Sequence, residues 1–310
     1  MPRQLTPKQV ARATGVSESS IKRWCDDGRI ATVRTAGGHR RILTGTVLEF
    51  LRESGHPLSD PTVLGLPATT GKGPRTLEKA QGQMLEALKT GDEVVCRQVV
   101  FDLLLSGHRV SVICDEVIAE SFHQIGDAWD CGELQVYRER RACEVAVRVL
   151  HEVRRGLAAR ASGAPLAMGA APSGDYYTLP TAMVELTLRD RGWGAVSLGS
   201  NLPFDTLRAA IVDHRPRLFW LSVSHLACEA SFLEGYASLV ETAGAATAIA
   251  VGGRALTEDV RRRMTFAAHC DTLSQLESFA AALWTPTSSA AKDDAPAEQS
   301  AEMADADGES

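Results

Sequence analysis

After Gly163 short apolar runs alternate with segments of helical periodicity: Leu166 to Ala170, Ala195 to Leu198, Leu218 to Val223, Thr247 to Val251 and Asp271 to Leu273. This βαβ rhythm predicts an α/β domain over residues 164–285, an open parallel sheet with helices on both faces. Ligands reach such a sheet at the carboxyl ends of its strands, so the loops there are the first place to look for chemistry.

Ahead of that domain the apolar residues repeat at helical spacing from Thr76 to about Arg160. Leu77, Met84 and Leu88 share one face; Ile118, Phe122, Ile125 and Trp129 share another; Val136, Glu139, Cys143, Val147 and Leu150 share a third. Turns at Thr90-Gly91-Asp92, Ser106-Gly107-His108 and Asp130-Cys131-Gly132 divide the segment into about four helices, with loops short enough for an antiparallel bundle over residues 76–160. Between Gly55 and Pro74 four prolines and four glycines deny a regular helix or central strand, and residues 55–75 are expected to be an interdomain linker.

The charge is unevenly placed. The whole chain is at −6, yet its first 55 residues carry ten Lys and Arg against five Asp and Glu, which suits a polyanionic partner. Leu5 to Thr14 reads as a helix, Gly15-Val16 as a tight turn, and Ser17 as the cap of a second helix through Trp24. Val16, Ile21 and Trp24 can pack inward, leaving Ser19, Ser20, Lys22 and Arg23 on the face that a recognition helix offers to a major groove. Ile30 to Ile42 follows as two β-prone arms around Gly37-Gly38, with cations on both flanks. Trp24, Gly28, Arg34-Thr35 and Gly37-Gly38-His39-Arg40-Arg41-Ile42 give residues 1–54 a resemblance to the winged helix-turn-helix of the MerR family. The resemblance implies that Lys22 and Arg23 contact the groove of double-stranded DNA, while Arg34, His39, Arg40 and Arg41, with Thr35 among them, grip phosphates or the minor groove beside it.

Glu139 lies on an apolar helix face, where a carboxylate needs a reason. Trp129-Asp130-Cys131-Gly132-Glu133-Leu134-Gln135-Val136-Tyr137-Arg138-Glu139-Arg140 resembles the helical cap of cobalamin-dependent photoreceptor repressors, in which Trp and Glu cover the upper face of the cofactor. The order of DNA-binding head, bundle and Rossmann-like sheet is also that family's. By the same resemblance Asp175, Tyr177, Asn201, Ser222, Ser224, Gly252 and Gly253 stand at cobalamin-binding positions, but Tyr177 replaces the axial histidine that Asp175 would orient. Asp130 and Arg140 likewise stand where light-sensing relatives carry histidine. A neutral phenol with pKa near ~10 is a poor cobalt ligand. Base-on cobalamin, another ligand such as haem with His123 or His151 nearby, and a closed pocket all stay open.

The function expected is therefore a DNA-binding transcriptional regulator, a repressor, with a cobalamin-type sensory half and altered axial chemistry; no catalytic residue and no metal site is read. A ligand-independent regulator and a corrinoid carrier subunit are the alternatives. One short recognition helix per chain argues for a homo-oligomer, and an antagonist protein is a further partner to expect. Seven cysteines without a C-x-x-C pair indicate reduced, mostly buried thiols. No apolar run approaches a membrane span and no signal-like core opens the chain, so a cytoplasmic protein is expected. Residues 286–310, with one basic and seven acidic side chains, read as a disordered tail.

Overall fold

A computed structural model describes residues 4–73, 76–131, 135–157 and 163–284, apart from the side chains of Trp129 and Asp130. The acidic tail lies outside the described residues.

The N-terminal head contains β1 (Gln4–Leu5), α1 (Pro7–Thr14), α2 (Glu18–Asp26), β2 (Val33–Arg34), β3 (Arg40–Leu43) and α3 (Thr44–Ser54). Thr6 and Gln9 form a reciprocal capping box, which starts α1 at Pro7. Leu5, expected as the first helical residue, instead pairs with Ile42 in the β1–β3 ladder. Ser17 caps α2 by accepting from the Ser20 amide, and the φ of +73° at Gly15 turns the chain between the two helices. Val10, Ile21, Ile30, Ile42 and Val47 are completely buried and form the core of this small unit.

The stretch read as a linker is docked. The amides of Ser59 and Asp60 donate to the Ala13 carbonyl at 2.7 and 3.0 Å, and Arg12 meets the Asp60 carboxylate at 2.8 Å. Pro61–Leu64 makes one 3-10 turn, and Val63, Leu64 and Leu66 are buried. Farther on, the amides of Gly71 and Gly73 donate to the two oxygens of Asp102 at 2.5 and 2.8 Å. Proline and glycine exclude regular ladders here, but three apolar side chains and well-placed acceptors are enough to seat an irregular strap.

The bundle comprises α4 (Leu77–Thr90), α5 (Glu93–Leu105), a third arm and α8 (Val136–Gly156). The third arm runs as α6 (Val110–Val112), a π-helical stretch (Ile113–Ala119) and α7 (Glu120–Asp130). Asp115, inside the wider π turn, accepts from Leu273 N, Ser274 N and Ser274 Oγ at 2.8, 2.9 and 2.7 Å, tying the bundle to the sheet domain. Val136 does not face inward as its periodicity suggests. It opens α8 and is 52% exposed.

Five parallel strands, β4 (Leu166–Ala170), β5 (Gly194–Ser197), β6 (Leu218–Ser222), β7 (Ala248–Gly252) and β8 (Ala268–His269), take the order β5-β4-β6-β7-β8. The connecting helices are α9 (Leu179–Asp190), α10 (Phe204–His214), α11 (Glu229–Ala243), α12 (Glu258–Arg261) and α13 (Leu273–Leu283). One sheet face buries Met168, Phe219 and Val251 with Phe232 and Tyr236 of α11; the other buries Ala167 and Trp220 with Val184 of α9 and Leu276 of α13. Asp271 to Leu273, expected as the fifth strand, is instead the approach to α13. Thr272 caps that helix by accepting from the Gln275 amide, and the edge strand is Ala268–His269, ending one residue short of that segment.

No helix among the described residues is long and apolar enough to cross a membrane. All seven cysteines are free, but only Cys96 and Cys114 are buried, and Cys131 and Cys228 are exposed. The expectation of mostly buried thiols holds for the minority.

Candidate functional site

Two surfaces collect the residues singled out by sequence. On the head, Ser19, Lys22, Arg23, Arg34 and His39 are exposed, while Ser20, Thr35, Arg40 and Arg41 are half-buried. Ser17 Oγ lies 2.8 Å from Ser19 Oγ and 2.9 Å from Ser20 Oγ, so both hydroxyls belong to the helix cap as well as to the presented face. Lys22 pairs with Glu18 one turn earlier at 2.9 Å, an exposed contact that bulk water weakens.

The wing is set by its own turn. Thr35 N donates to His39 O at 3.0 Å, Gly38 N to Thr35 O at 2.8 Å, and His39 N to Thr35 Oγ1 at 3.2 Å, with Gly38 at φ +77°. Arg40 differs from the other wing cations. Its Nη1 donates to the Lys22 carbonyl at 3.0 Å and its Nη2 to the Asp26 carboxylate, which fastens the wing to the recognition helix. Arg34 and Arg41 sit beside it with guanidinium groups that no carboxylate holds among the described residues.

The second surface lies where α8 of the bundle faces the carboxyl ends of the strands. Asp175 is completely buried, and its oxygens accept from Tyr177 N at 3.0 Å, Ser224 N at 2.5 Å and His225 N at 3.2 Å. The carboxylate therefore ties the loop after β4 to the loop after β6. Asn201, at φ +58°, accepts from Gly174 N at 2.8 Å and ties in the loop after β5. Gly252 and Gly253 are required by close backbones: a Cβ would lie 2.6 Å from Cys270 O at the first and 2.3 Å from Val223 O at the second, where φ is +115°.

Tyr177 is half-buried on this rim. The guanidinium carbon of Arg140, from α8, lies 5.7 Å from its ring centroid, and that of Arg254, from the loop after β7, lies 5.5 Å from it. Arg254 Nη2 is also 3.5 Å from the Tyr177 hydroxyl. Glu139, half-buried, precedes Arg140 on α8, and Trp129 has its side chain outside the described residues. Beside this stack a cleft of about 150 Å³ opens between α9, α13 and the ends of β6 and β7, lined in part by Ser222, Gly252, Gly253, Pro180 and Leu276.

Arg254 was not singled out by sequence, although its place directly after the glycine pair at a strand's carboxyl end was a usable signal. His123 and His151 are both exposed, with His123 beside Glu120 at 3.7 Å, and neither lines that cleft. Among the described residues no cluster of three or more His, Cys, Asp or Glu side chains is arranged to hold a metal.

A family model described as a helix-turn-helix domain matches residues 5–55, and one described as a B12 binding domain matches residues 80–153. Over 267 residues the chain is 27% identical to the HTH-type transcriptional repressor CarA of Myxococcus xanthus, an alignment covering 82% of this chain and 88% of that one. Among solved structures, the monomethylamine corrinoid protein of Methanosarcina barkeri is similar with a TM-score of 0.53 at 14% identity, covering 67% of this chain and 100% of that one. That likeness is one of fold. The matches bear out the resemblance to MerR-type regulators with a C-terminal cobalamin-binding-type half. They support cobalamin as a candidate cofactor.

The residues present fit that cofactor unevenly. The glycine-lined cleft suits a slender, nucleotide-like tail. At the rim, however, Tyr177 supplies no imidazole, and the Asp175 oxygens that would orient one already accept three amides. Ligation by a protein histidine at this position does not fit.

Proposed function

We propose that this chain is a cytoplasmic, homo-oligomeric repressor of transcription that binds operator DNA through α2 and the wing and carries a cobalamin-type sensory half without an axial histidine. The observation that carries the reading is the pairing, in one chain, of a head whose exposed face is cationic with a bundle seated on the carboxyl ends of a parallel sheet. The similarity to a named repressor over most of both chains supports the same class. An antagonist protein would act on such a regulator through the bundle and sheet, away from the wing.

The cation-rich wing supplies sequence-independent affinity, and the exposed Lys22 and Arg23 supply discrimination between bases. Selection of duplexes from a random pool, followed by binding across a salt series and a reporter driven by the selected site, tests the reading. The expected results are one enriched, two-fold-related sequence, affinity falling steeply with salt, and a reporter silenced by the protein. Enrichment of no sequence, or a reporter that rises, rejects a repressor. Sedimentation of the full chain on and off that duplex tests the oligomer, which predicts two or more chains per site.

A further inference from the structure

Three side chains from three separate elements meet in the gap between bundle and sheet: Arg140 of α8, Tyr177 of the loop after β4 and Arg254 of the loop after β7. We propose that this stack sets the ligand specificity of the gap by occupying the seat of a corrin macrocycle, so that cobalamin binds only when the stack opens. The proposal rests on the cobalamin-type reading of the sensory half and deepens it.

The distances are the first support. A flat macrocycle between a guanidinium and a phenol ring needs two contact distances of about 3.5–4.0 Å, or roughly 7 Å in all. The Arg140 guanidinium carbon is 5.7 Å from the Tyr177 centroid. Nothing planar passes between them while the contact lasts.

The loops beneath are the second support, because they hold the stack in place before any ligand arrives. Tyr177 N is one of the three amides bound by buried Asp175, and Ser224 N is another. Ser224 in turn accepts from Arg254 Nε through its carbonyl at 3.4 Å. The phenol and one of its two cations are thus anchored to a single hydrogen-bonded rim. The Asp175 carboxylate, whose oxygens are taken by three amides, fastens the loop that carries the competitor.

The third support is selectivity. The neighbouring cleft of about 150 Å³ is left open by the stack, so the obstruction falls on a macrocycle and spares a tail-sized group. Each cation–aromatic contact is weak at an exposed site, which makes the stack a competitor that a ligand can displace rather than a permanent plug.

Titration of the full chain with hydroxocobalamin, followed by its visible spectrum and by calorimetry, tests this in wild type, Tyr177→Phe, Tyr177→Ala, Arg140→Ala and Arg254→Ala. Tyr177→Phe keeps the ring under both cations and is expected to bind within about twofold of wild type. Tyr177→Ala is expected to bind about fivefold to tenfold tighter, and each Arg variant about threefold tighter, from contacts of this class. Thermal melts of the same samples show that the variants remain folded; if Tyr177→Ala does not, the Arg140→Ala and Arg254→Ala titrations decide. Affinities unchanged or weakened in the Ala variants overturn the stack as competitor while leaving the cobalamin reading intact. Absence of cobalamin binding in every variant overturns both, and DNA binding by the same samples keeps the regulator reading separate.

Discussion

Arg52 Nη1 lies 2.5 Å from Asp190 Oδ1, joining α3 of the head to the last turn of α9 in the sheet domain. Arg52 Nη2 also donates to the His108 carbonyl at 3.2 Å, and Asp190 Oδ2 accepts from Val110 N at 3.4 Å, both at the start of the bundle's third arm. One carboxylate, 8% exposed, is therefore shared by head, bundle and sheet. Burial works against the Arg52 charge, but the hydrogen bond and negative charge of Asp190, together with the charges of Glu277 and Glu49, offset it and hold the arginine's pKa above its ordinary value.

Removing that carboxylate leaves a half-buried guanidinium and an amide without their acceptor. Asp190→Ala should destabilise the protein by about 2–3 kcal/mol in urea unfolding. Arg52→Ala/Asp190→Ala should cost less than the sum of its parts, since the two side chains lose the same contact. Additive costs would show that the pair contributes nothing as a pair.

Arg40 is expected to behave unlike its neighbours in the wing. Arg34→Ala or Arg41→Ala should each weaken binding to every duplex and reduce the salt slope by about 0.9. Arg40→Ala should weaken binding with little change in slope, because its guanidinium serves Asp26 and the Lys22 carbonyl. Asp26→Ala should reproduce the Arg40→Ala effect. An Arg40→Ala slope that falls like that of Arg41→Ala would place Arg40 on a phosphate instead.

Asp175→Ala takes the acceptor from three part-buried amides, and should lower stability by about 1–3 kcal/mol by calorimetry or denaturant. Asp175→Asn, which keeps one acceptor oxygen, should cost less. Equal and small costs for both would mean that the loops hold together without the carboxylate.

Thiol chemistry should separate by burial and capping. Cys228, exposed at the start of α11, has its pKa lowered by the Ser231 hydroxyl, 3.4 Å from the sulfur, and by amides of the first turn. Burial pushes Cys96 up to about 12. A lowered pKa means thiolate at lower pH, so Cys228 should be carbamidomethylated below pH 8 while Cys96 stays unmodified in the folded chain, as peptide mass spectrometry would read. Ser231→Ala should move the onset for Cys228 to higher pH.

Periodicity carried most of the architecture, because burying one face is a demand each helix or strand meets locally. Leu166 to Ala170 is a strand with those very ends, and the first two bundle turns fall at Gly91-Asp92 and Ser106-Gly107 as expected, while Gly132 of the third lies outside the described residues. What periodicity could not carry was contact between distant segments. The strap at residues 57–73 looks like a tether in sequence because its partners, Ala13, Arg97 and Asp102, lie in other elements. For the same reason Glu139 and Tyr177 were legible as positions, while the Arg254 guanidinium over the tyrosine ring was not. The π stretch at Ile113–Ala119 left no mark in the apolar pattern, which tolerates one wide turn.

The seated strap bears on how the homo-oligomer proposed above would measure distance along DNA. A head on a polymer tether samples a cloud of positions and tolerates spacers of many lengths. A head fixed to its body by Asp60, Asp102 and Asp190 points in one direction, so the proposed assembly of such bodies would work as a rigid caliper. One extra base pair rotates the far half-site by about 34° around the duplex, given roughly 10.5 base pairs per turn. Such a caliper reads helical phase as strictly as it reads bases, and half a turn of added DNA turns the second half-site to the far side of the duplex.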